Sequence, residues 1–116
     1  MARNDNDVVA SSRNVFADLG LRDADEKHTR VRLAVAINNI IRSRRLSQVS
    51  AADLLQVNQP KISALANYRL DGFSVERLMH FLNALDRDVE IVIRKKSRAR
   101  ASGKIAVTEM QPSIAG

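Results

Sequence analysis

The tightest constraint on this chain lies between Leu46 and Asn67, in the run LSQVSAADLLQVNQPKISALAN. Ser47 can cap a helix over Gln48 to Leu55, because a serine oxygen accepts from an orphan first-turn amide. Ala51, Ala52 and Leu55 then share one face, with Leu54 at its flank. Val57 falls in a very short break. Asn58 can cap a second helix, and Pro60 stands in its first turn, where a missing amide costs least. Ile62, Leu65 and Ala66 mark the apolar face of this second helix. Two helices that cross steeply through so tight a turn need a small residue at closest approach, and Ala52 supplies it. Pro60 and the helix-length apolar spacing on both sides argue against a strand.

The rest of the 116 residues allow one small domain with tails. Hydrophobic residues make up 45%, yet only one tyrosine and three phenylalanines are present, which suits a helical core of Leu, Ile, Val and Ala. No apolar run is long enough to span a membrane, and the N-terminus lacks a signal-peptide stretch. Zero cysteines exclude disulfides and thiolate chemistry and fit a reducing cytoplasm, the expected location. His28 and His80 are isolated, without metal-ligand spacing; His28 is expected in solvent and His80 beside the core. No Gly-rich phosphate loop and no His-carboxylate constellation is present, so neither enzymatic activity, nor a metal, nor a cofactor is expected.

The net charge of +6 is unevenly spread. Residues 28–70 carry Arg30, Arg32, Arg42, Arg44, Arg45, Lys61 and Arg69 against Asp53 alone. Residues 94–116 carry six basic side chains against Glu109, whereas 1–27 and 71–93 are net acidic. The positive excess therefore sits on the paired-helix region and the tail, an electrostatic footprint for phosphate.

Taken in order, residues 1–13 are polar, without periodicity, and read as a disordered tail. In NVFADLGL, 14–21, Phe16, Leu19 and Leu21 could dock as an apolar clip that Gly20 ends, or bind a partner. Asp23 with Glu26 imitates a capping box opening a helix to about Arg44, whose buried stripe is Leu33, Ala34, Ile37, Ile40 and Ile41. After a loop at 67–72, Phe73 and Leu78 bracket a start at Ser74, and a helix over 75–85 buries Val75, Leu78, Met79, Leu82 and Leu85. In Val89-Glu90-Ile91-Val92-Ile93-Arg94, alternation puts Val89, Ile91 and Ile93 on one face of a strand over 88–94. With no obvious partner in the chain, it is expected to pair with its copy across a two-fold axis, Val89, Ile91 and Ile93 forming the dimer interface. Pairing with the N-terminal arm is the alternative. From Lys95 to Gly116 the composition is that of a basic disordered tail, either solvated or adding salt-sensitive affinity for DNA.

Gln48, Ala52, Val57, Gln59, Ile62 and Leu65 resemble the XRE family, the Cro and phage-repressor type of helix-turn-helix. The longer pieces NVFADLGL (14–21), SAADLLQVNQPKISAL (50–65) and GFSVERLMHFLNALDRDVEIVI (72–93) are similar to its HigA-like antitoxin branch. The resemblance covers roughly 14–94, and its motif 47–67. It departs at Gln56, where the family usually has glycine; a left-handed Gln56 costs on the order of 1 kcal/mol relative to Gly. The implied fold is all-α, a small helical bundle of the phage-repressor type with one C-terminal strand.

The exposed front of the second motif helix offers Gln59, Lys61, Ser63 and Ala64 as base readers. Glutamine can read an adenine edge bidentately, lysine can donate to guanine, and alanine can touch a thymine methyl. The resemblance implies that Gln59 leads, that Gln48 contacts phosphate, and that Asn67 and Arg69 touch the DNA backbone. Asn58 stands at the entrance, and Arg42, Arg44 and Arg45 lie near the backbone, although a purely helix-capping role is open for each. The expected partners are palindromic double-stranded DNA, a second copy of the chain and a RelE-like toxin. The function implied is an autorepressing antitoxin. A stand-alone regulator, or a protein-interaction module that has lost DNA readout, are the competing readings.

Overall fold

The longest helix, α1, runs over Asp23–Ser43 in the computed structural model, which describes residues 23–110. It is followed by α2 (Gln48–Leu55), α3 (Gln59–Ala66) and α4 (Val75–Ala84). The α1 stripe is as the periodicity requires: Leu33, Ala34, Ile37 and Ile40 are buried, Ile41 packs beside them, and Ala36 joins the core. Asp23 is the first helical residue rather than the cap. Glu26, expected to close a capping box, is buried and meets Arg30 Nη1 at 3.3 Å, one helical turn on.

Helix α1 packs chiefly on α4, and α2 on α3, so the short pair is backed by a longer one. Ser74 caps α4, its Oγ accepting from the Arg77 amide at 3.0 Å, with Phe73 and Leu78 both buried around it. Phe81, absent from the expected stripe, is buried and meets Phe73 edge-on at 5.9 Å. It stands three residues after Leu78 and four before Leu85, on the same helical face. His80 corrects an expectation: it is exposed, its Nε2 3.7 Å from Glu76, rather than bordering the core. His28 is exposed as expected.

The four described helices end alike. Arg45, Gln56, Tyr68 and Asp86 have φ of 54°, 58°, 59° and 64°. The next amide in each case reaches back to a carbonyl five residues earlier: Leu46 to Ile41, Val57 to Ala52, Arg69 to Ala64 and Arg87 to Leu82, at 2.9–3.0 Å. This is the 6→1 closure of a Schellman motif, which satisfies carbonyls that a helix end would otherwise orphan.

The expected strand over 88–94 is not present: the described residues contain no strand. A ladder needs a second strand to accept its hydrogen bonds, and this single chain offers none among the described residues. Val89, expected on one strand face with Ile91 and Ile93 as the dimer interface, packs on the core, while Ile91, Val92 and Ile93 are 77%, 64% and 92% exposed. The tail through Met110 has no helix or strand. Lys96 Nζ is wrapped by the Ser97 and Arg100 carbonyls, and Val107 is half-buried against the core. The expected 1–13 tail, the clip at 14–21 with Phe16, Leu19 and Leu21, and residues 111–116 lie outside the described residues. No helix among the described residues is long and apolar enough to cross a membrane.

Candidate nucleic-acid interface

The α2–α3 unit is built from local chemistry. Ser47 is extended (φ −75°, ψ 167°), and its Oγ accepts from the Ser50 amide at 3.0 Å, opening α2. Gln56 turns the chain in a left-handed conformation (φ 58°, ψ 47°), so that only Val57 separates it from the next cap. Asn58 is extended, and its Oδ1 accepts from the Lys61 amide at 3.0 Å, with Pro60 in the first turn. Ala51, Ala52 and Leu55 from α2 bury in one cluster with Ile62 and Leu65 from α3. Ala66, assigned to that apolar face, is exposed at the end of α3.

One tertiary hydrogen bond fixes the back of α3. Asn38 is buried among the α1 aliphatics, and its Nδ2 donates to the Leu65 carbonyl at 3.0 Å. The signal for it in the sequence is slight: a lone amide beside Ile37, within an apolar stripe.

The candidate site residues divide into groups. Gln48, Asn58 and Gln59 are exposed at the fronts of the two helices. Ser63 and Ala64 are half-buried, Ala64 packing against the core. Lys61 is half-buried, its ammonium donating to the Gly72 carbonyl at 3.2 Å and lying 4.7 Å from the Phe73 ring centroid. Asn67 turns its amide onto its own helix, donating to the Ser63 carbonyl at 2.9 Å.

The arginines also separate. Arg44 Nη1 reaches the Leu85 carbonyl at 3.4 Å and so helps close the end of α4. Arg42 Nη1 donates to Asn39 Oδ1 at 3.3 Å. Arg45 and Arg69 are exposed, and neither side chain has a hydrogen bond or ion pair among the described residues. They follow α1 and α3 respectively, and both stay available to a phosphate. Val49, 60% exposed beside Gln48, is an apolar neighbour that sequence reasoning did not single out. Among the described residues no His, Cys, Asp or Glu group could hold a metal. The arrangement provides amide donors and acceptors at the front of a braced helix, with guanidinium groups nearby. Those are the groups that base edges and phosphates respectively require.

Comparison with known proteins agrees with the geometry. The family model described as "Helix-turn-helix domain" matches residues 15–94. No curated protein matches the chain. A solved structure described as an XRE-family transcriptional regulator is 61% identical, with a TM-score of 0.74, over 77% of this chain and 100% of that one. With its residues 15–94 matched and that identity sustained over the whole of the relative, the chain belongs to the XRE-type helix-turn-helix family.

Proposed function

We propose that this protein is a sequence-specific, double-stranded-DNA-binding transcriptional repressor, with α3 as its recognition helix. The observation that carries the reading is Gln59: a bidentate-capable amide, exposed in the first turn of a helix braced by α2 and tied to α1. In this reading Gln59 leads base readout, with Ser63 and Ala64 at its flank. Gln48, Asn58, Arg45 and Arg69 hold the backbone, and Arg42, Arg44 and Asn67 contribute after giving up their present partners. Selection of bound fragments from a random DNA pool tests it. Enrichment of one sequence is the expected result; a pool that stays random would remove specific DNA readout.

The dimer belongs to the same proposal. Exposed Ile91, Val92 and Ile93 supply apolar side chains and free backbone groups, and two copies of 88–94 can satisfy both by antiparallel pairing. The operator would then be a palindrome with half-sites roughly 34 Å apart, or a multiple of it. Similarity of 14–21, 50–65 and 72–93 to HigA-like antitoxins supports a further role: neutralising a RelE-like ribonuclease toxin and repressing the shared operon. Co-expression with a short neighbouring reading frame checks this. Growth arrest that the chain relieves is expected, and a harmless neighbour would leave a stand-alone regulator.

A further inference from the structure

Lys61 stands two residues after Gln59, in the first turn of the same helix, yet its ammonium is turned back onto the protein. Nζ donates to the Gly72 carbonyl at 3.2 Å and lies over the Phe73 ring at 4.7 Å. Phe73 is itself buried and held edge-on by Phe81. A carbonyl dipole and an aromatic face therefore hold the same cation, and both belong to the segment that enters α4. Gly72 makes the fit possible: a Cβ at this position would stand 2.7 Å from Lys61 Nζ, with no other neighbour within 4 Å. A Cβ at position 72 would force the ammonium out of its present position and meet nothing else.

The tie matters because of where it sits. Asn38 fixes the C-terminal end of α3 through the Leu65 carbonyl, and Ile62 and Leu65 anchor its underside. Held there alone, an eight-residue helix could rock about its buried face and move its leading turn. Lys61 connects that leading turn to the α3–α4 loop. We infer that Lys61 is a positioning residue rather than a base reader. Its bond to Gly72 and contact with Phe73 persist in the DNA complex and set the height at which Gln59 enters the groove. The inference rests on the DNA-binding reading.

Four chains separate the two roles: wild type, Lys61→Ala, Gly72→Ala and the double variant. Affinity is measured for the selected DNA and for a scrambled sequence. Gly72→Ala leaves Lys61 its length and charge and only displaces its ammonium, so a base-reading lysine would be unharmed. If Lys61 positions the helix, Lys61→Ala and Gly72→Ala each lower the ratio of selected to scrambled affinity by at least about fivefold, the low end for one lost base contact. The double variant should then be no worse than the poorer single, because both remove one shared interaction. Lys61→Arg, which keeps a donor and a cation for the ring, should return part of the ratio. In proton spectra the Lys61 ε-methylene should be shifted upfield by the Phe73 ring, with and without DNA. An unchanged ratio in Gly72→Ala, or loss of that upfield shift on adding DNA, overturns the inference. Thermal unfolding of each variant confirms that the fold is retained, which the open space around Gly72 favours. A wild-type chain that fails to discriminate the two DNAs defeats the DNA-binding reading instead, a result distinct from either.

Discussion

At each helix end a side chain occupies a conformation that glycine adopts most cheaply. Gln56 is the instructive one, because its left-handed backbone sets the turn between α2 and α3. The Schellman bond from the Val57 amide to Ala52 requires that conformation, and the Cβ of Gln56 makes it unfavourable. Gln56→Gly should therefore stabilise the fold by roughly 0.5–1 kcal/mol, the left-handed penalty less the extra freedom of glycine in the unfolded chain. The midpoint of thermal unfolding should rise by about 2–6 °C for a domain this small. A fall in the midpoint would mean that the glutamine side chain has a role beyond the turn. At the neighbouring residues proposed to contact DNA the readout is affinity. Gln59→Ala should cost about 1–3 kcal/mol on the selected DNA and little on scrambled DNA. Arg69→Ala should weaken both alike and reduce the salt slope by about one phosphate. Equal losses on both DNAs in Gln59→Ala would move Gln59 from readout to backbone contact.

At the scale of elements, the sequence makes legible whatever a few neighbouring residues decide. Ser47, Asn58 and Ser74 each accept from the amide three residues on, so their caps can be assigned from spacing alone. The left-handed Gln56 is also foreseeable, because the turn leaves it little choice. The ends at Arg45, Tyr68 and Asp86 carry no such signal, since neither described glycine, Gly72 nor Gly103, stands at a helix end. Illegible in the sequence are the destinations of long or buried polar side chains. Lys61 reaches a carbonyl 11 residues away, and Asn38 one 27 residues away, and no local pattern encodes either partner. Periodicity places Lys61 outside the apolar face and so among the candidate readers, but a flexible stem lets its ammonium fold back over Phe73. Asn38 is the buried one of the two. Asn38→Ala removes a buried donor from between α1 and α3 and leaves a small void. It should destabilise the fold by about 1–3 kcal/mol. Loss of affinity on selected DNA should accompany it only to the extent that the end of α3 shifts. Hydrogen exchange at the amides of α3 reports this directly: faster exchange in α3 than in α4 is expected, and uniform acceleration would show that Asn38 stabilises the whole domain rather than this helix.

For the whole molecule, the proposed palindromic operator requires two copies of α3 to act together. The exposed Ile91, Val92 and Ile93 lie just beyond Glu90 and Val89, and Val89 is already packed on the core, so an intermolecular ribbon would begin at a fixed point on each domain. Alternation along a strand sends Ile91 and Ile93 to one face and Val92 to the other. Burying Ile91 and Ile93 from both copies gives at most about 6–12 kcal/mol, at roughly 1.5–3 kcal/mol per side chain. Association costs on the order of 4–15 kcal/mol in lost freedom and ordering, so this interface is marginal unless ladder hydrogen bonds add to it. The proposed dimer should therefore dissociate measurably on dilution and be strengthened by a palindromic operator, which engages both copies at once. Glutamate at both positions, Ile91→Glu with Ile93→Glu, would place four like charges on a two-fold axis without touching the core of either domain. Sedimentation should then show monomers where the wild type shows dimers. Affinity for a full palindrome should fall towards that for a single half-site, while discrimination within a half-site is retained. A variant that sediments as a dimer as tight as wild type would place the pairing surface elsewhere on the molecule, and the half-site spacing of roughly 34 Å would lose its basis.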